Sequence, residues 1–241
     1  MTGYDGLDAA ALERLTGAPL VVVESSIPST QDVAHRLAAD GAPSGTVVLA
    51  DEQTAGRGRL GRPWHSPAGR GVWLSVLLRP PLAPEGGAMA VRAGLAAVSA
   101  IRDTAPGVAA RLRWPNDLIV ADRKVGGILC EARRSADAVA WVAVGVGVNV
   151  SGPVAPSVRD RAVALADVAP GASRLALVAA LVPLLRALEP LPAQLLPDER
   201  RAFLRAEWRD PGAPETADLA PDGALVVRTA DGTLDRRVTP P

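Results

Sequence analysis

The sequence predicts an α+β fold: a mixed, largely antiparallel sheet with helices gathered on one side, then a small, truncated β segment at the C-terminus. Three observations carry this. Between 108 and 150, apolar stretches rich in β-branched residues follow one another with only tight turns such as "ADRK" between them. Connections that short join antiparallel neighbours. Residues 88–103 place Val91, Leu95, Val98 and Ile101 on one face of a helix, and a second long apolar helical stretch comes only after 172. Runs of strands beside separate helices describe α+β rather than a doubly wound sheet.

The elements follow in order. "PLVVVES" (19–25) reads as a strand. In "SSIPSTQDVAHRLAADGAP", Ser29 or Thr30 suits an N-cap, Asp32 the first turn and Gly41 the C-cap. "GTVVLADEQ" (45–53) and "GVWLSVLLRP" (71–80) are strands flanking an arginine-rich segment. "VAARLRWPND", "LIVADRKVGGILCEARR" and "AVAWVAVGVGVNV" are strands, and "SGPVAPS" is a loop. "SRLALVAALVPLLRALEPL" is an apolar helix bent at Pro183, and "PDERRAFLRAEWRD" is a more polar one. The last thirty or so residues hold two or three short strands around "DGALVVRTADG", too few for an independent core. The expected division is a lead-in over 1–18, a main domain over 19–210 and a β remnant over 211–241.

Composition narrows the function. Lys+Arg and Asp+Glu number 26 each, so whole-molecule attraction to nucleic acid or membrane is not expected. One cysteine, Cys130, excludes an internal disulfide, and two histidines argue against a multi-histidine metal site. The N-terminus has neither the basic nor the apolar region of a signal peptide, and the expectation is a cytoplasmic protein. Of the 26 basic residues only Lys124 is a lysine. A lysine left alone in such a chain either sits where arginine would fail or is there by chance.

Residues 56–61, "GRGRLG", match the spacing of a dinucleotide-binding turn, which needs a strand directly before it and a helix directly after. Here "DEQTA" intervenes before the glycines and "PWHSPAG" follows them, with no room for a helix between Arg62 and Arg70. The alternative is a loop whose glycines permit close approach while Arg57, Arg59 and Arg62 offer forked donors to carboxylate or phosphate, with Trp64 beside them for stacking. A solvated basic loop is the plain reading. A second cluster is "RWPNDLIVADRKVGGILCE", where Asn116 and Asp117 occupy a turn and Lys124 precedes Gly126 and Gly127. A third is "VGVGVNV", where Gly145 and Gly147 leave one strand face bare, for a ligand or for another backbone. Together the clusters suit an acid plus ATP.

"STQ" (29–31), residues 51–80, residues 113–132 and "GVGVNV" (145–150), in this order and spacing, resemble the catalytic domain of biotin protein ligases. The resemblance covers about residues 19–210. It implies ATP and biotin as substrates, Mg²⁺ carried with ATP, a biotinyl-5′-AMP intermediate, and transfer to a lysine of a biotin carrier domain of a carboxylase. It assigns Ser29, Thr30, Gln31 and Gln53 to biotin, mostly the ureido ring; Arg57, Gly58 and Arg59 to the carboxylate and bridging phosphate; Arg62, Trp64 and Asn116 to the nucleotide; Lys124 to the space between carboxylate and α-phosphate; and Gly127 and Gly145 to the floor. Lys124, Arg57 and Arg59 are the implied catalytic residues, and no Mg²⁺ ligand is implied. Fewer than twenty residues precede the first strand, so a monofunctional type without a DNA-binding domain is expected. Gln31 stands where many relatives carry asparagine, and the tail is short for the usual small β-barrel. A lipoate or octanoate ligase or transferase, an inactive member, and a single-strand nucleic-acid surface remain as alternatives.

Overall fold

In the computed structural model, described over residues 3–81, 83–84, 87–135 and 138–238, a seven-stranded sheet runs in the order β1-β2-β3-β7-β6-β5-β4. Its strands are β1 (Val21–Ile27), β2 (Val47–Gln53), β3 (Gly71–Leu78), β4 (Arg111–Arg113), β5 (Asp117–Val120), β6 (Arg123–Ser135) and β7 (Ala138–Asn149). Only β1 and β2 are parallel, joined by the crossover helix α2 (Thr30–Ala39); every other pairing is antiparallel. The short turns legible in the sequence account for the antiparallel part, and the one helix-length connection accounts for the parallel pair.

β3 is buried along its whole length, as a central strand requires. One face of the sheet carries the main core: Val72, Leu74, Val76, Val144, Val146 and Val148 pack with the apolar faces of α3 (Ala88–Thr104) and α4 (Arg174–Arg186). α2 lies on the other face, where Val33 and Ala34 meet Val48 and Ala143. The helices therefore gather on one side except for α2, and the face it shares is left for the site.

Ser29 caps α2 by accepting from the Gln31 amide, and Asp40 is its C-cap, with Gly41 following at φ +88°. The glycine serves as the left-handed residue just beyond the helix. Pro183 stands inside α4.

The segment 1–18 contains a helix of its own, α1 (Ala9–Thr16), capped by Asp8 and closed by Gly17. Tyr4 and Leu12 are buried in the main core. Arg174 at the start of α4 binds Asp5 and Asp51 and lies against the Tyr4 ring. The C-terminal segment forms a three-stranded antiparallel sheet of β8 (Glu215–Leu219), β9 (Leu225–Arg228) and β10 (Leu234–Arg237). Among the described residues it has no core of its own. Leu219, Leu225 and Val227 join the main core, and its β8–β9 turn accepts a hydrogen bond from the Trp114 indole through Gly223 O at 2.9 Å. α5 (Pro197–Ala206) links the two parts, with Arg92 of α3 buried against Glu199 at 2.7 Å.

Candidate functional site

The site begins with missing side chains. Gly145 and Gly147 alternate with valines that enter the core, so both point to the α2 face. A Cβ at Gly145 would stand 2.8 Å from Gln31 Nε2, and one at Gly147 would stand 2.5 Å from Trp64 Nε1. Both glycines are therefore needed for close approach: the Gln31 amide and the Trp64 indole lie directly on the sheet. Gly127 of β6 pairs with Gly147 and widens this floor.

A polar network closes one end. The Ser75 hydroxyl and Thr30 Oγ1 are 2.9 Å apart. Thr30 donates through its amide and hydroxyl to Gln53 Oε1, at 2.9 and 3.2 Å. Gln53 Nε2 in turn donates to Ser66 Oγ at 2.8 Å. Gln31 Nε2 donates to Leu129 O at 2.8 Å. Ser29, Thr30 and Gln31 are all buried. Against this saturation, two buried atoms beside the floor have no partner among the described residues, Gln31 Oε1 and Trp64 Nε1. Leaving a buried acceptor or donor unmet costs about 1–3 kcal/mol. Gln31 Oε1 is thus a bare acceptor and Trp64 Nε1 a bare donor beside the glycine floor.

The other end is cationic. Lys124 Nζ lies 5.2 Å from the centre of the Trp64 ring and pairs with Asp117 Oδ1 at 2.6 Å. Asp117 Oδ2 holds Arg113 at 2.6 Å. Arg59 Nη1 donates to Asn116 Oδ1 at 3.2 Å, and Asn116 Nδ2 donates to Ile128 O at 2.9 Å. A Cβ on Gly127 would lie 3.6 Å from Lys124 Nζ and 3.7 Å from Asn116 O, so these groups surround one point on the floor. Arg59 rests on an amide oxygen, not a carboxylate, and so keeps its full charge for an anion.

Comparison with known proteins agrees with this geometry. Residues 23–149, more than half the chain, match the family model described as biotin/lipoate A/B protein ligase family. The chain belongs to that family. It is 35% identical over 185 residues to the biotin–[acetyl-CoA-carboxylase] ligase of Mycobacterium tuberculosis, covering 70% of this chain and 68% of that protein. It is 42% identical over 135 residues to the bifunctional ligase/repressor BirA of Bacillus spizizenii. That match takes in 54% of this chain and spans only 40% of the BirA length. Among solved structures, the biotin protein ligase of Aquifex aeolicus in complex with biotin and ATP superposes with a TM-score of 0.71 at 25% identity, covering 91% of this chain and 95% of that one.

Within this member of the family, the structure gathers most of the sequence-selected residues and sets four apart. Thr30, Gln31, Gln53, Trp64, Gly127 and Gly145 line the floor and its polar end, and Arg59, Asn116 and Lys124 cluster at the other. Ser29 is committed to capping α2. Gly58 donates its amide to Arg62 O at 2.8 Å and shapes the loop. Arg62 is exposed after a 3-10 turn over Arg59–Gly61. The Arg57 fork is taken by Asp32: Nη1 and Nη2 bind its two carboxylate oxygens at 2.9 and 2.7 Å. Hydrogen bonds from that guanidinium, more than its charge, hold the Asp32 carboxyl below the usual range despite partial burial. Arg57 is therefore placed beside the site as an anchor, because a nearer carboxylate claims it.

Sequence reasoning noted Asp117 beside Asn116 but gave it no role, and it left out Ser75 and Ser66. Ser75 did carry a signal: it is the lone hydroxyl in the otherwise apolar run "GVWLSVLL", and such a residue in a fully buried strand needs a partner.

Proposed function

We propose that this protein activates biotin with ATP and transfers it to a lysine of a biotin carrier domain of a carboxylase, in the cytoplasm. The observation that carries the reading is the pair of unsatisfied atoms, Gln31 Oε1 and Trp64 Nε1, over the Gly145–Gly147 floor. A cyclic urea brings N–H and C=O to meet them. The dithiolane of lipoate or the alkyl chain of octanoate brings neither, which is what separates the biotin reading from the other activity in the family's name.

With the ureido head at the Thr30–Gln53 end, the carboxylate reaches Arg59, Asn116 and Lys124. There the carboxylate oxygen attacks the α-phosphorus of ATP, and the bond to the β-phosphate oxygen breaks. Pyrophosphate leaves and biotinyl-5′-AMP remains. Lys124 and Arg59 supply fixed positive charge where negative charge builds, and fixed charge in a partly closed site lowers the barrier without reorganisation. Asp117 holds Lys124 in place while sharing its own charge with Arg113. In the second step the neutral amine of the carrier lysine attacks the acyl carbon. The mixed-anhydride C–O bond breaks, AMP departs, and the amide nitrogen loses its proton to solvent. Asn116 serves the nucleotide, with Arg62 at the rim, while Trp64, which the resemblance gives to the nucleotide, is taken by the ureido head.

Mg²⁺ would enter on the phosphates of ATP. Among the described residues no group of three His, Cys, Asp or Glu is assembled to hold an ion, so no step is assigned to one. The direct test is biotin-dependent pyrophosphate release from MgATP, with lipoate and octanoate as controls. Release with biotin alone supports the reading, and release with lipoate but not biotin overturns it.

A further inference from the structure

The arginine loop crosses the floor with little holding it down. Leu60 at its tip is 81% exposed and sits at φ 58°. Its amides mostly bond within the segment: Gly58 to Arg62 O, Arg62 to Arg59 O and Trp64 to Gly56 O. Two side-chain fastenings tie it across the site. On one side Arg59 reaches Asn116. On the other Arg57 forms its two-pronged pair with Asp32 on α2 and lies 3.9 Å from Glu131 on β6.

That second fastening is itself held. Glu131 Oε2 accepts from His35 Nε2 at 3.0 Å, and His35 Nδ1 accepts from the Trp141 indole at 2.9 Å. Because Nδ1 is an acceptor, the proton resides on Nε2 and points at Glu131. Arg79 lies over the Trp141 ring at 5.6 Å and donates to Ala38 O and Ala42 O at the end of α2. Asp32 and Glu131 are thus fixed points on two elements of the scaffold, and Arg57 is the movable member.

We infer that Asp32, supported by Glu131, is a positioning residue: by anchoring Arg57 it straps the 56–62 loop over the floor and retains the activated acyl group until the acceptor lysine arrives. Retention of the acyl group rests on the proposed activity; the strap itself does not. Both carboxylate oxygens of Asp32 are engaged by Arg57 of the loop, so Asp32 acts through Arg57.

The test uses the whole chain as wild type, Asp32→Asn, Arg57→Gln and the double variant. Hydrogen exchange at Gly58, Arg62 and Trp64 is followed first, without ligands. Release of biotinyl-5′-AMP from protein preloaded with biotin and MgATP is followed second. Asp32→Asn should speed loop exchange and intermediate release by about three- to fivefold, the scale of a half-exposed, two-pronged ion pair. Arg57→Gln should match it, and the double variant should add nothing further, as for two ends of one contact. High salt should bring wild type to the same value and leave the variants unchanged. In Asp32→Asn the rate of pyrophosphate release and the melting midpoint should move little, which separates this role from a structural one. Unaltered loop exchange in both single variants, or additive effects in the double variant, overturns the strap. Normal exchange changes with no biotin-dependent pyrophosphate release in wild type would instead overturn the biotin reading and leave the strap standing.

Discussion

Replacing Lys124 by arginine keeps the charge and changes only its shape. The Lys124 ammonium makes a 2.6 Å contact with Asp117, sits 5.2 Å from the Trp64 ring centre and would lie 3.6 Å from a Cβ on Gly127. That is room for a compact cation, not for a planar fork, which would meet the indole or the floor or turn outward beside Arg113. Stability should hardly change. The side chain is 30% exposed, and a pair of that kind contributes at most about 1 kcal/mol, most of which arginine retains. Rate should change much more, because on the proposed reading the charge leaves the point where the α-phosphate and carboxylate oxygens meet. Loss of one preorganised electrostatic contact typically costs about 10²–10³-fold. The assay is biotin-dependent pyrophosphate release, with biotin affinity by calorimetry and melting by circular dichroism measured alongside. A variant that melts and binds biotin like the parent yet turns over at the parental rate would refute the placement of Lys124 at the reacting centre.

Three further outcomes are expected. Arg59→Ala removes a loop side chain that fills no core space, so the melting midpoint should stay near the parent while adenylate formation drops by about 10-fold or more, the loss of a charge-assisted bond of about 1.5–3 kcal/mol. Gly147→Ala puts a methyl 2.5 Å from Trp64 Nε1; overpacking of this kind costs about 1–3 kcal/mol, and tryptophan fluorescence should shift as the indole is lifted from the floor, so an unchanged spectrum with unchanged biotin affinity would count against the floor. The Asp32 carboxyl is held below its ordinary value by Arg57. The pair's contribution is therefore complete above the unfolded value of about 3.9 and is lost as pH falls through the lower folded value. Loop hydrogen exchange should show the gap between wild type and Asp32→Asn open at pH 6 and narrowing below about pH 4.

Much of this was legible because periodicity and turn chemistry act locally. The strand runs 45–53 and 71–80 became β2 and β3 nearly residue for residue, since each is bounded by glycine or proline. The lone lysine, the paired glycines of β7 and the Asn116 turn were each visible as unusual local patterns. Arg57 was not separable from Arg59 by sequence, because the direction of a long side chain on a glycine loop is set by whichever carboxylate lies nearest. Asp32 reads as an ordinary first-turn acid, and only the fold brings it to the loop. α1 is short and buries few residues, yet its Asp8 and Gly17 caps were present in "DAAALERLTG". The side of the sheet taken by α2 depends on crossover handedness and on the glycine face of β7, and neither lies within the helix itself. The C-terminal strands were visible, but their stability was not, because it comes from Leu219, Leu225 and Val227 entering a core built by other segments.

The central claim is that the two ends of the floor hold biotin for transfer to a protein lysine. Incubating the protein with biotin, MgATP and a biotin carrier domain, then weighing the carrier by mass spectrometry, tests it most directly. The account predicts a carrier heavier by one biotinyl group on a single lysine, with AMP and pyrophosphate formed in equal amounts and no gain when lipoate replaces biotin. An unmodified carrier, or one that gains a lipoyl group instead, would contradict it.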